Sequence, residues 1–130
     1  MARKAIISAK ASSVGPYSQG IDCDGLVFLS GQTPLDPVTG TIAEGDMKAQ
    51  TQQGFTNLFG VLEAAGLTQE DVQKVNVYLT DMNDFSAMNE VYKTQFSEPY
   101  PARTTIGIAS LPLGAKIEIE MIARKKEIPS

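Results

Sequence analysis

Hydrophobic and polar residues follow two periods along the chain, which predict a definite order of strands and helices. Alternation with a period of two indicates strands at residues 72–79, 103–109 and 116–124. Apolar residues at helical spacing indicate helices at residues 46–65 and 84–96. Asp46 is placed to cap the start of the first helix, and Gly66 follows its last apolar position, where a C-terminal cap belongs.

Two more strands are predicted near the start of the chain, on either side of the dipeptide Asp24-Gly25. Residues 18–23 and 26–30 are the flanking segments, and Asp-Gly between such segments is a strong hairpin signal. The next stretch, residues 33–45, is rich in Pro and Gly and predicts a loop.

The resulting order, β-β-α-β-α-β-β, predicts an α+β fold in which both helices pack on one face of a single sheet. The 130 residues have the usual size of one domain, so we expect residues 1–130 to form a single domain. The other face of the sheet carries Ile106, Ile108 and Ile122 and needs a cover, which favours oligomerisation.

Composition excludes several classes of function. The chain has no His and a single Cys, Cys23, which excludes His-based general-base catalysis, Ser-His triads, intrachain disulfides and Cys-rich zinc sites. The formal net charge of −4 argues against a dedicated nucleic-acid-binding protein. No secretory leader or membrane-spanning stretch is predicted, so the expected location is the cytoplasm.

Polar residues on the last two predicted strands are the first candidates for chemistry. Arg103 shares a strand face with Thr105 and Gly107, and these small neighbours leave room for a groove that contains one cation. Glu118 and Glu120 share a face of the final strand. If the two strands form a hairpin with these faces together, Arg103 and Glu118 line one cleft. The alternative is a solvated sheet face with an ordinary salt bridge.

Other candidates lie on the second helix and near two turns. Asn89 falls on the apolar face of the helix, where a buried amide needs partners, so it either tethers the helix to a loop or contacts a ligand. The turn at residues 15–20 can hold the Tyr17 hydroxyl over a pocket. Ser30 and Gly31 end a predicted strand, where glycine lets a ligand approach the backbone closely.

Six short motifs, taken in order, resemble those of one known family. They are Gly15-Pro16-Tyr17-Ser18-Gln19-Gly20, Ser30-Gly31-Gln32, Asp81-Met82-Asn83-Asp84-Phe85, Asn89-Glu90-Val91-Tyr92, Pro101-Ala102-Arg103, and Leu111-Pro112 followed by Ile117-Glu118-Ile119-Glu120. Each motif alone is weakly specific, but their order and spacing cover essentially the whole chain. On these motifs the sequence resembles the Rid family, also called YjgF-like proteins or reactive intermediate deaminases, and is most similar to the RidA subgroup.

The resemblance implies a chorismate-mutase-like α+β fold with one mixed sheet, and a homotrimer with a cleft between each pair of subunits. It also implies hydrolysis of 2-imino acids, such as 2-iminopropanoate and 2-iminobutanoate, to 2-oxo acids and ammonia. No cofactor and no metal are expected. The expected partners are small 2-imino and 2-oxo acids and other copies of the chain, with no role for a membrane or nucleic acid.

The same resemblance implies roles for individual residues. Arg103 binds the substrate carboxylate, Glu118 helps to place the water, and Tyr17 completes the catalytic set. The rest of the pocket is expected to include Ser30, Gly31 and Asn89. Thr105, also in the pocket, stands where many RidA-like proteins have Cys. Because the family uses this position largely through its backbone, imine hydrolysis is expected to survive the change.

Three other functions stay open from the sequence. Some family members are associated with cleavage of single-stranded RNA, which the acidic charge and the lack of His disfavour here. The chain could instead be a non-catalytic sensor that binds a 2-oxo acid at Arg103, or a chaperone-like protein that works through its surface. Ligand binding without imine turnover would select the sensor.

Overall fold

The computed structural model describes residues 3–11 and 15–126, which form one six-stranded sheet and two α-helices. The strands are β1 (Lys4–Ile6), β2 (Gly20–Cys23), β3 (Leu26–Gln32), β4 (Val72–Leu79), β5 (Ala102–Gly107) and β6 (Ile117–Arg124). The helices are α1 (Met47–Ala64) and α2 (Phe85–Gln95). The strand order across the sheet is β1-β2-β3-β6-β4-β5, and every neighbouring pair is antiparallel except β4 and β5. The predicted α+β fold with one mixed sheet is confirmed.

Local signals set the two ends of α1 as predicted. The side chain of Asp46 accepts a hydrogen bond of 2.9 Å from the backbone N–H of Ala49, which caps the start of the helix. At the other end, Gly66 has a φ of 76°. The N–H of Leu67 donates to the carbonyl of Leu62 at 2.9 Å, which completes a Schellman motif.

The predicted hairpin joins β2 and β3. Asp24 and Gly25 have φ values of 56° and 94°, the left-handed pair that a type I′ turn requires. β3 continues beyond its predicted end to Gln32. β1 is an additional strand of three residues, too short for periodicity to reveal.

The core lies between the two helices and one face of the sheet. The buried residues of β6 are Ile117, Ile119, Met121 and Ala123. Phe55 of α1 packs against Tyr92 and Phe96, with ring centroids 5.7 and 5.8 Å away. Gly54 allows α1 to approach the sheet closely, because a Cβ there would lie 3.3 Å from Cδ1 of Ile119.

The predicted hairpin between the last two strands is wrong. β4 lies between β5 and β6, and β5 runs parallel to β4 after a crossover through α2. Arg103 is the register partner of Val75, which is buried under the helices, whereas Glu118 is the partner of Tyr78 on the open face. Arg103 and Glu118 therefore lie on opposite faces and do not line one cleft within the chain. The polarity of β5 could not show this, because β5 is an edge strand and is partly exposed on both faces.

The sheet face away from the helices is open and partly apolar, as predicted. Phe28 and Ile106 are 43% and 44% exposed there, beside the half-buried Ile122. An exposed apolar strip of this kind is typical of a surface that another chain covers. In the part of the chain that the structure describes, no helix is long and apolar enough to cross a membrane.

Gln19 fixes the segment that precedes β2. Its buried side chain accepts a hydrogen bond from the N–H of Ser8 at 2.5 Å. It also donates to the carbonyls of Ser8 and Ala11 at 3.1 and 2.8 Å. These bonds hold residues 8–11 beside the start of β2 and so stabilise the turn that carries Tyr17.

We expect Gln19→Ala to lower the free energy of unfolding by about 1–3 kcal/mol, because it leaves buried backbone groups of Ser8 and Ala11 without partners. Urea denaturation followed by circular dichroism measures the change. Gln69→Ala, at an exposed residue in the short 3₁₀ turn before β4, is the control and should change this free energy by less than about 0.5 kcal/mol. Equal effects of the two substitutions would contradict the role assigned to Gln19.

Candidate functional site

Arg103 is held between β5 and α2 by two kinds of contact. Its Nη1 donates a hydrogen bond of 2.7 Å to Oδ1 of Asn89. Its guanidinium carbon lies 4.5 Å from the centre of the Tyr92 ring and 5.5 Å from that of Phe85, within the range of cation–π attraction. The planar, permanently charged group is therefore oriented before any ligand arrives.

A pocket of about 400 Å³, here called the arginine pocket, opens beside this guanidinium. It is lined by Asn89, Tyr92, Lys93, Tyr100, Pro101 and Arg103. Asn89 ties α2 to its neighbour and also lines the pocket. The tether runs to strand β5 and not to a loop.

Two buried hydroxyl oxygens near Arg103, Tyr92 Oη and Thr105 Oγ1, have no hydrogen-bond partner among the described residues. Burial raises the pKa of the Tyr92 hydroxyl, and the charge of Arg103 partly opposes this. Because buried polar atoms are normally paired, these hydroxyls indicate a polar site that the chain does not fill by itself. Tyr92 was not predicted as a site residue, since its place on the apolar face of α2 indicated only core packing.

The second group of candidates lines a different cleft, here called the glutamate cleft, of about 470 Å³. Its walls are Tyr17, Ser30, Gly31, Thr33, Leu35, Pro112, Leu113, Glu118 and Glu120. Leu35 and Leu113 form part of an apolar wall that the sequence did not predict, because both lie in loops without periodicity.

A β-bulge shapes the floor of the glutamate cleft. Leu29 pairs with Met121 and Gln32 with Ile119, so two residues of β3 stand opposite one residue of β6. The two bulged residues are Ser30 and Gly31. The Ser30 hydroxyl donates to the carbonyl of Ser18 at 2.6 Å, which links the bulge to the turn that carries Tyr17.

Glu118 lies directly over the backbone of Gly31. A Cβ at position 31 would be 2.8 Å from Oε1 of Glu118, so only glycine leaves this space for the carboxylate. Burial, and secondarily the charge of Glu120, raise the pKa of Glu118 above its ordinary value. A glutamate in this state is suited to exchange protons with a bound molecule.

The structure therefore brings the predicted site residues together in two groups on opposite faces of the sheet. One group contains Tyr17, Ser30, Gly31 and Glu118. The other contains Arg103 and Asn89. Thr105 shares a face of β5 with Arg103 but is not among the residues that line the arginine pocket or the glutamate cleft. Within residues 3–11 and 15–126, no three His, Cys, Asp or Glu side chains are grouped so as to hold a metal ion.

Known proteins share both this fold and this sequence. The family described as Endoribonuclease L-PSP matches residues 7–125. A RutC family protein of Pyrococcus horikoshii is 51% identical over 113 residues, which cover 87% of this chain and 90% of the relative. The 2-iminobutanoate/2-iminopropanoate deaminase of Mus musculus is 43% identical over 122 residues, covering 93% of this chain and 90% of the relative. The crystal structure of E. coli TdcF with bound serine matches with a TM-score of 0.89 and 42% identity, covering 95% and 99% of the two chains.

The chain belongs to the endoribonuclease L-PSP family. A crystal structure of RidA from Psychrobacter sp. PAMC 21119 also matches, with a TM-score of 0.90 and 46% identity, covering 94% and 99% of the two chains. These matches confirm the resemblance to Rid proteins that the motifs indicated.

We expect Gly31→Ala to displace the Glu118 carboxylate while the chain stays folded, because the clash is with the end of a flexible side chain. Crystal structures of Gly31→Ala and of a control variant, Gly107→Ala, test this. The control substitution also adds a methyl group against a flexible side chain, because a Cβ at position 107 would lie 2.9 Å from Cγ of Met82. An unchanged Glu118 in the Gly31→Ala structure would contradict the contact.

Proposed function

We propose that the protein hydrolyses small 2-imino acids to 2-oxo acids and ammonia at a site that two copies of the chain complete together. The observation that carries the proposal is the placement of Arg103 and Glu118 on opposite faces of the sheet. A reaction that needs both groups requires the arginine pocket of one copy to meet the glutamate cleft of another. The homotrimer that the family motifs imply provides three such contacts in a closed ring.

In this proposal Arg103 holds the carboxylate of the 2-imino acid. A guanidinium fork matches a carboxylate with two parallel hydrogen bonds, and the contacts with Asn89 and Tyr92 set its direction. Fixing this end of the substrate places the C=N carbon against a water molecule in the facing glutamate cleft. A random encounter thereby becomes a positioned attack.

Glu118 accepts the proton of that water. Its raised pKa makes it a better base than an exposed glutamate. The imine reacts in its protonated form. As the water oxygen bonds to the imine carbon, a water proton passes to Glu118 and the C=N electron pair moves to nitrogen, which gives a neutral amino alcohol. Glu118 then returns this proton to nitrogen, which makes it a leaving group. As the C–N bond breaks, Glu118 takes the hydroxyl proton and passes it to the released ammonia, so the products are the 2-oxo acid and ammonium.

The relatives support this chemistry. The mouse protein is named a 2-iminobutanoate/2-iminopropanoate deaminase, and TdcF binds serine, whose carboxylate is the group that Arg103 is proposed to hold. The net charge of −4 and the lack of His disfavour cleavage of RNA. The arginine pocket alone would be enough for a 2-oxo-acid sensor, so turnover is the deciding measurement.

Arg103→Ala is expected to lower kcat/KM for 2-iminopropanoate by about 100- to 1,000-fold, because a charged partner of a desolvated carboxylate is lost. Arg103→Lys keeps the charge but loses the planar fork, so a loss of about tenfold or more is expected. The imine is generated from alanine by an amino-acid oxidase, and semicarbazide traps what the protein leaves.

Lys48→Ala, an exposed residue of α1, is the control for these variants, and thermal unfolding verifies that each is folded. Wild-type turnover by Arg103→Ala would contradict the proposed site and favour a role of the surface. Binding of pyruvate by the wild type without imine turnover would select the sensor.

Arg103→Ala and Glu118→Gln are each expected to be nearly inactive, but a 1:1 mixture refolded together should recover about a quarter of the wild-type activity. Half of the copies keep Arg103 and half keep Glu118. About one subunit contact in four therefore combines an Arg103 from one copy with a Glu118 from the facing copy. Activity of the mixture is compared with that of each variant alone.

The control mixes Arg103→Ala with the double variant that carries both Arg103→Ala and Glu118→Gln. Arg103 is then absent from every copy, so no activity should be recovered. If the first mixture also stays inactive although the copies have exchanged, the two groups do not act across a subunit contact.

A further inference from the structure

The side chain of Glu120 is anchored by two residues of β4. Its Oε1 accepts a hydrogen bond from the Tyr78 hydroxyl at 2.5 Å and one from Nδ2 of Asn76 at 3.0 Å. Asn76 is the register partner of Glu120, whereas Tyr78 is the partner of Glu118 and reaches diagonally across the ladder. Two donors on one oxygen hold the carboxyl group of Glu120 in one place.

The anchored carboxylate lies next to the proposed base. Glu118 and Glu120 are two residues apart on β6 and both line the glutamate cleft. Side chains at this spacing are about 7 Å apart on one strand face, which is within the Debye length of about 8 Å at physiological ionic strength. Salt therefore screens the effect of the Glu120 charge on Glu118 only in part.

We infer that Glu120 is a positioning residue for the proposed hydrolysis: Tyr78 and Asn76 hold it as a fixed negative charge, which increases the proton affinity of Glu118. The inference rests on the proposed function of the glutamate cleft for its role in turnover. Its electrostatic part, the effect of one carboxylate on the other, is measured independently of turnover.

The pKa shifts of Tyr78 and Glu118 have the directions that this arrangement requires. The hydrogen bond to Glu120, followed by burial and the two glutamate charges, raises the pKa of the Tyr78 hydroxyl to about 12. The pKa of Glu118 is raised first by burial and then by the charge of Glu120. Removing the charge of Glu120 leaves only the effect of burial. The pKa of Glu118 then falls by the part of the shift that Glu120 caused.

Among the described charged groups around Glu118, Glu120 is the one that shifts its pKa. Lys116 precedes Glu118 by two residues and is exposed to solvent. Lys74 projects from β4 on the same face, but its amine donates to Oγ1 of Thr104 at 2.9 Å, on the side of β4 away from β6. Tyr17 borders the glutamate cleft, and Arg124 is at the far end of β6. The described residues of β3 include no acidic or basic side chain, and those of β5 present none to this face.

Glu120→Gln in the full chain is the test, because glutamine keeps an oxygen that accepts from Tyr78 but removes the charge. The pH profile of kcat/KM for 2-iminopropanoate is expected to shift on its acid side to lower pH. On the alkaline plateau kcat should fall roughly two- to tenfold, because Glu118 becomes a weaker base. KM should stay unchanged, because Arg103 still binds the carboxylate. Glu120→Asp, which restores the charge, should return the acid side towards the wild-type position.

Two titrations read the same effect without turnover. In protein labelled with ¹³C at glutamate carboxyl groups, the Glu118 signal, assigned with Glu118→Gln, should titrate at lower pH in Glu120→Gln than in the wild type. The Tyr78 hydroxyl, whose signal is assigned with Tyr78→Phe, is expected to titrate later than an ordinary phenol in the wild type and at lower pH in Glu120→Gln. Glu63→Gln, exposed on α1 and paired with Lys10, is the charge-matched control and should leave both titrations unchanged.

The outcomes separate the inference from the proposed function. An unchanged Glu118 titration in Glu120→Gln overturns the inference even if the wild type is an active deaminase. If the Glu118 titration shifts in Glu120→Gln but the wild type does not hydrolyse imines, the electrostatic effect of Glu120 on Glu118 stands. Only the proposed function is then overturned. A pH profile that keeps its position while kcat falls would show a purely structural role for Glu120.

Discussion

The alternation of side chains along β6 is the constraint on which the rest of the structure depends. Every second residue of this strand is buried under the helices, from Ile117 to Ala123, so the residues between them must face the other way. A shift of one residue in register would bury Glu118 and Glu120 in the core and expose the apolar row. Burial of two unpaired carboxylates is too costly for that alternative to compete. Packing of the core thus decides where the glutamates point.

The same rule places Arg103 on the other side of the sheet. Its strand is aligned with β4 so that Arg103 stands beside Val75, and α2 closes over that face with Asn89 and Tyr92. A sheet is one layer thick, so no rotation of a side chain brings Arg103 to Glu118. In the proposed assembly, one contact between copies both covers the apolar strip with Phe28 and Ile106 and completes the site.

Sequence patterns predicted the features whose signals are local. The hairpin at Asp24-Gly25, both ends of α1 and the bounds of β4 follow from turn chemistry, capping residues and alternation. The pairing of β5 with β4 could not be predicted in this way, because strand pairing depends on long-range contacts and an edge strand shows no clear buried face. The contact of Gly31 with Glu118 depends on the bulge in β3, and a bulge has no reliable local signature.

The basicity of Glu118 depends on both copies in the proposed assembly. Cover by a second copy removes water from Glu118 and raises its pKa, whereas a facing Arg103 lowers it by favouring the carboxylate. When the substrate carboxylate pairs with Arg103, the positive charge is largely neutralised, and the effects of burial and of Glu120 dominate. Since Tyr78 and Asn76 hold Glu120 within the same chain, its charge is present in either state. In the proposed assembly Glu118 is therefore a stronger base with substrate bound than without it, and hydrolysis needs the base when substrate is bound.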